Sequence, residues 1–184
     1  AYAVDYDNQP AFLEITFKTI LVHTVSYFGI GILAFLLLDY SSIFADPNIS
    51  ILMRQTDDPM VAAGPLFQPI RGFLFALAFY PIRKILFGQK NGWLIMWLVL
   101  VVIGIFSTFG VAPGSIEGMI YTTLPLWFHL IGLPEVLLQS LVFSFVLCYW
   151  VNHRDKSWLN WVLGVMFCLI LYFSTLGVVI FLGN

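Results

Sequence analysis

The chain has 184 residues, 60% of them hydrophobic and 10% charged, with a formal net charge of −2 and a mean hydropathy of +0.93. A soluble domain carries roughly 25% charged residues, and a water-soluble fold of this size cannot hide so much apolar surface. The expected solvent is therefore lipid, and the slight acidity without a clustered basic face excludes nucleic acid as a partner.

Residues 1–13, AYAVDYDNQPAFL, read as a short polar lead-in, with no basic segment and hence no visible cleavable signal peptide. A membrane helix needs about 20 apolar residues. The first span is expected over 16–38, where Lys18 can snorkel and His23, Tyr27 and Gly31 share a face. Residues 39–64 are expected along the membrane surface. There Ser41 or Ser42 would cap a short helix through 43–45, and Asp57 or Asp58 another begun by Pro59. Asn48-Ile49-Ser50 matches a glycosylation triplet, a pattern common by chance. The second span, 69–87, carries Arg71, Pro81 and Arg83, with the two arginines about 18 Å apart along one helix. The third, 92–109, is uninterrupted.

Residues 112–135 read APGSIEGMIYTTLPLWFHLIGLPE. The apolar run 119–131 is too short to cross, and Pro125 breaks it. Irregular backbone is not tolerated in contact with lipid, so 110–132 is expected at the interface or re-entrant behind the other helices. A crossing there would make six spans. Gly114 and Gly118 flank a turn whose amides would face an anion or hold the Glu117 carboxylate. Pro134 opens the fourth span, 133–151, with Glu135 as a first-turn acid. The fifth span is 158–182.

The link after span two holds Arg83, Lys84 and Lys90, and VNHRDKS after span four holds His153, Arg154 and Lys156. Residues 110–132 hold no lysine or arginine. The two basic links fall on one side, which the charge rule makes cytoplasmic. The N-terminus is then expected inside and the C-terminus outside, in a cytoplasmic-type membrane such as a bacterial inner membrane. Arg83, Lys84, Lys90, Arg154 and Lys156 become candidate contacts for lipid headgroups. Six tryptophans near the span ends read as interfacial belts. Small-residue stripes at Gly72/Ala76, Ser140/Ser144/Cys148 and Gly164/Cys168 read as packing seams within the bundle or against a second copy. The two cysteines read as apolar fillers, not as a disulfide or metal pair.

The fold class is thus an all-α polytopic bundle in one domain, 1–184, with about five spans and a broken segment. On its outer side the topology gathers Asp39, Arg71, Glu117, His129 and Glu135, with Arg71 expected to pair with Glu117. His129 reads as a hydrogen-bonded interfacial residue rather than a proton carrier or metal ligand. No metal set, nucleophile–base pair or cofactor motif is present. The function expected is that of a non-catalytic, oligomeric or accessory subunit of a membrane complex, its outer polar cluster binding a partner, lipid or small ligand. A small oligomeric transporter using the Glu117/Arg71 region is the second reading, and a membrane enzyme acting on lipid or quinone the third.

Overall fold

The computed structural model describes residues 9–183, so residues 1–8 of the polar lead-in lie outside the described residues. Helix α1 (Phe12–Leu38) is 27 residues long, about 40 Å, and exceeds the roughly 30 Å hydrocarbon core. It ends at Asp39, which has a left-handed φ of 45°. Asp39 also opens α2 (Tyr40–Ala45): its carboxylate accepts from the Ser42 amide at 3.5 Å and from the hydroxyls of Ser41 at 2.8 Å and Ser42 at 2.7 Å. The cap is therefore the aspartate, and the two serines, read as alternative caps, are its donors.

Asp58 caps α3 (Pro59–Ala62) as expected, accepting from the Met60 amide at 2.7 Å and from Arg54 at 2.8 Å. Both aspartates titrate below their ordinary value of 3.8, Asp39 through its bonds from Ser42 and Ser41 and Asp58 through Arg54 and the Met60 amide. A depressed folded pKa contributes stability that is complete above the unfolded value and is lost as pH falls through the folded one. Amide protection in α2 and α3 is therefore expected to persist at pH 6 and to fall below about pH 4, while α1 stays protected. Equal protection of α2 at both pH values would remove the capping account.

A 3₁₀ turn (Gly64–Phe67) leads into α4 (Gln68–Phe79), a helix of 12 residues. It stops at Tyr80 because Pro81 has no N–H to continue it, and α5 (Arg83–Leu86) is a single turn. The second expected span is thus divided, and α4 alone reaches only about 18 Å. Helix α6 (Gly92–Val101) runs on through a π turn (Val102–Phe106) closed by Ser107 N–H to the Val102 carbonyl at 2.9 Å. This third element is also shorter than a full crossing. After α7 (Ile116–Tyr121) and α8 (Leu126–Ile131), α9 (Leu133–Asn152) follows α8 at a joint marked by Gly132 and Pro134. Helix α9 starts at 133 as expected, and with α8 before it the apolar helical stretch long enough to cross runs over Leu126–Asn152. Helix α10 (Ser157–Gly183) completes the chain. Among the described residues, three helices are long and apolar enough to cross a membrane, Phe12–Leu38, Leu126–Asn152 and Ser157–Phe181. The count of five is not confirmed.

Helix α1 is central and packs against α4, α9 and α10, while α6 lies on α9. Helices α1 and α4 approach closely at Gly72, where a Cβ would lie 2.7 Å from the Ile20 Cα. That is the seam expected of the Gly72/Ala76 stripe, and Ala76 is fully buried. Ser144 and Cys148 are buried within the bundle as well. The third stripe is not packed: Gly164 faces open space and Cys168 is exposed.

The two basic links lie at one end. Gly88 N–H donates to Asn152 Oδ1 at 2.8 Å, and Glu14 of α1 meets Arg154 at 2.7 Å and Lys18 at 2.8 Å. Lys84 and Lys90 are exposed, Lys156 pairs with Asp155 at 3.2 Å, and the Arg83 guanidinium lies 4.1 Å over the Tyr80 ring. Trp127, Trp158 and Trp161 are exposed, as belt residues should be, but Trp150 is buried and donates to Asn160 Oδ1 at 3.0 Å.

Candidate functional site

The broken segment satisfies its own backbone. Gly114 takes a left-handed φ of 84°, which glycine adopts without a Cβ penalty. Its N–H donates to His129 Nδ1 at 3.2 Å. With Nδ1 accepting that bond, the ring's other nitrogen, Nε2, is the one left to donate. That nitrogen lies 3.3 Å from Thr122 Oγ1, and the Thr122 hydroxyl donates to the Gly118 carbonyl at 2.7 Å. Ser115 caps α7: its Oγ accepts from the Gly118 amide at 2.9 Å and donates to the Ala112 carbonyl at 2.7 Å. The turn amide expected to hold the Glu117 carboxylate is thus taken by Ser115.

His129 is buried at 2% exposure and fastens α8 to the turn before α7. Glu117 sits in the first turn of α7 and Glu135 in the first turn of α9. Both acids therefore face the positive end of a helix, and the account expected only of Glu135 covers Glu117 too.

The outer cluster is only partly assembled. No ion pair joins Arg71 to Glu117 among the described residues. Arg71 instead donates to Gln68 Oε1 at 3.4 Å. Asp39 is exposed and occupied by its cap. Glu135 accepts a hydrogen bond from the Tyr40 hydroxyl, and desolvation together with that carboxylate raises the Tyr40 phenol above its ordinary value.

Two cavities of similar size flank the cluster. The first, about 480 Å³, lies between α1, the α2–α3 region and α8–α9, with Tyr27, Tyr40, His129 and Glu135 among its polar groups. The second, about 460 Å³, opens between α4 and the π turn, with α9 as its floor. Its polar lining is Arg71, His23, Gln139 and Ser140, and its apolar walls are Leu74, Leu100 and Ile105. Pro113 and Val136 line both, so the two adjoin. Both volumes fall within the roughly 300–1,000 Å³ range of small-ligand sites.

The second cavity is organised by Gln68, which is 4% exposed. Its Nε2 donates to the Gly64 carbonyl at 3.0 Å, leaving Oε1 facing His23 Nε2 at 3.1 Å and Arg71. His23 is wedged edge-on between Phe75 and Phe143, with ring centroids 4.9 and 5.4 Å away. Gln68 and Tyr40 were not among the candidates because each stands just outside an expected span. The face shared by His23, Tyr27 and Gly31 was the available signal for this side of α1. No three His, Cys, Asp or Glu side chains are grouped to hold a metal among the described residues. Compared with known proteins, the chain matches no family model, no curated protein and no solved structure.

Proposed function

We propose that the chain is a non-catalytic multi-pass membrane protein, an accessory or self-associating subunit whose cavity-bearing end holds an amphiphilic ligand or partner. One observation carries the reading. Arg71, a cation at a groove of the membrane domain, has a neutral amide oxygen as its protein partner, and an ionisable group in such a place marks a functional site by default. With the basic links at the opposite end, the charge rule puts that end in the cytoplasm and the cavities on the outer side. The exposed apolar length of α10, including Val165, Leu169 and Phe173, offers surface to lipid or a second subunit. Mild-detergent extraction of the native protein, followed by native mass spectrometry, is expected to return a stable assembly. A ligand-free monomer would count against the proposal.

A second reading, a small oligomeric transporter, is favoured by the common wall of the two cavities. In that case the working acid is Glu135 rather than Glu117, because Glu135 lines a cavity. Uptake into proteoliposomes would then disappear in Glu135→Gln and survive in Glu117→Gln; the reverse pattern would exclude it.

A further inference from the structure

The second cavity has the chemistry of a binding site for an anionic lipid. Arg71 carries five N–H donors, of which the described residues engage one, at a long 3.4 Å and on a neutral oxygen shared with His23. Arg71 is exposed on the surface of the bundle, which in the membrane reading faces lipid or headgroups, and a neutral oxygen does not balance its charge there. Lys18, Arg54, Arg154 and Lys156 each meet a carboxylate within 3.2 Å, and Arg83 meets the Tyr80 carbonyl and ring at the end that holds the basic links. Arg71 differs from these in lining a cavity, so a group bound there is placed to supply the complementary charge.

The walls define what carries that charge. Arg71 stands one turn from the start of α4, the end of that helix which the reading above puts on the outer side. From there the groove continues along Leu74 of α4, Leu100 of α6 and Ile105 of the π turn. Gly104 of the same turn contributes no side chain to the lining, which widens the slot. Gln139 and Ser140 lie on the floor. The Ser140 hydroxyl proton goes to the Leu137 carbonyl at 3.0 Å, so its oxygen acts as an acceptor, while the Gln139 amide supplies donors for ester or glycerol oxygens. A charge at one end and aliphatic walls below it fit a headgroup with an attached chain better than a free ion.

We infer that this groove binds the phosphate of an anionic glycerophospholipid through Arg71, with an acyl chain along Leu74, Leu100 and Ile105. The inference rests on the ligand-holding reading above and names its ligand class.

The test uses the full chain in nanodiscs of mixed phosphatidylglycerol and phosphatidylcholine, with retained lipids identified by native mass spectrometry. The wild type is expected to keep phosphatidylglycerol in preference to phosphatidylcholine by about tenfold, because both offer a phosphate but the choline of phosphatidylcholine sets a like charge near Arg71. Arg71→Gln should abolish the preference, Arg71→Lys should keep part of it, and Leu74→Trp should lower occupancy by filling the groove while leaving the charge. Should Arg71→Gln fold poorly, the Leu74→Trp and Arg71→Lys comparison still decides. Equal retention of both lipids by wild type, or an unchanged preference in Arg71→Gln, overturns the inference. Displacement of the lipid by millimolar inorganic phosphate overturns it in favour of a free-anion site. Each of these failures leaves the native assembly measurement intact, so the loss of the lipid site and the loss of the subunit reading are separable.

Discussion

Gly118→Ala is expected to lower the unfolding midpoint by on the order of 10 °C, even though the same substitution in an ordinary helix is stabilising. Glycine in a helix interior costs about 0.5–1 kcal/mol relative to alanine. At Gly118 that gain meets a much larger penalty. A Cβ there would stand 1.9 Å from the Ala112 carbonyl oxygen and 3.2 Å from Ser115 Oγ. The obstacle is backbone, and that same carbonyl already accepts from the Ser115 hydroxyl at 2.7 Å and the Ser115 amide at 3.1 Å. Relief of the overlap requires the 112–115 turn to open, and with it the Gly114 bond to His129. Overpacking costs typically 1–3 kcal/mol and occasionally more. A rigid obstacle belongs at the upper end, so about 3 kcal/mol is expected, and for a chain of this size each kcal/mol moves the midpoint by about 2–4 °C. Gly164→Ala on α10 is the control, because a Cβ there meets nothing within 4 Å. It should be neutral or slightly stabilising. Detergent-solubilised protein followed by tryptophan fluorescence reports both variants, and a Gly118→Ala midpoint equal to that of Gly164→Ala would refute the close-packed turn.

These two glycines also mark how far the amino-acid pattern reaches. The all-helical class of the described residues and first and last helices long and apolar enough to cross a membrane are legible because they follow from apolar length. The association of the two basic links is legible from charge, and the contact of Gly88 with Asn152 agrees with it. Helix continuity is harder to read. Pro81 lay inside an apolar run long enough to span, and only the missing N–H explains why α4 ends there. At Pro134 the same residue type opens a helix, as expected: α9 starts at Leu133 with the proline in its first turn, and α8 precedes it to extend the apolar stretch back to Leu126. Proline interrupts a helix at Pro81 and begins one at Pro134; which of the two it does in an apolar run depends on where the preceding turn ends, which periodicity does not contain.

Partner choice is harder still. The five-span reading puts Arg71 and Glu117 on the same side, but the Ser115 cap places Glu117 on α7, and Gln68 reaches Arg71 across one turn of its own helix. A local partner three residues away is favoured over a distant one by the smaller entropy of ordering. That rule favours Gln68 for the bond, but it cannot say that the bond leaves a charge uncompensated.

At the opposite end, Glu14→Gln is expected to cost more than removing both Glu14 and Lys18. Glu14 sits between two cations, Lys18 at 2.8 Å and Arg154 at 2.7 Å, with side-chain exposures of 25% for Glu14, 10% for Lys18 and 45% for Arg154. The buried member is Lys18, whose Nζ also donates to the Trp150 carbonyl at 3.2 Å and lies 5.3 Å from the Trp150 ring centroid. Deleting one partner of a fully buried pair costs about 3–5 kcal/mol because the other charge is stranded. Here Glu14 is a quarter exposed and Lys18 keeps two weaker contacts, so about 2 kcal/mol is the discounted figure for Glu14→Gln. Replacing a buried pair by neutral groups is often close to neutral, and the Arg154 contact, nearly half exposed, contributes only about 0.5 kcal/mol. Glu14→Gln/Lys18→Met should therefore recover most of the loss, with a coupling of about 1–2 kcal/mol between the sites. Equilibrium unfolding in mixed micelles for the two single variants and the double variant measures that coupling. A double variant destabilised by the sum of its parts would mean that Lys18 is not held in place by Glu14, and that the meeting of α1 with the α9–α10 link rests on the Trp150 contacts instead.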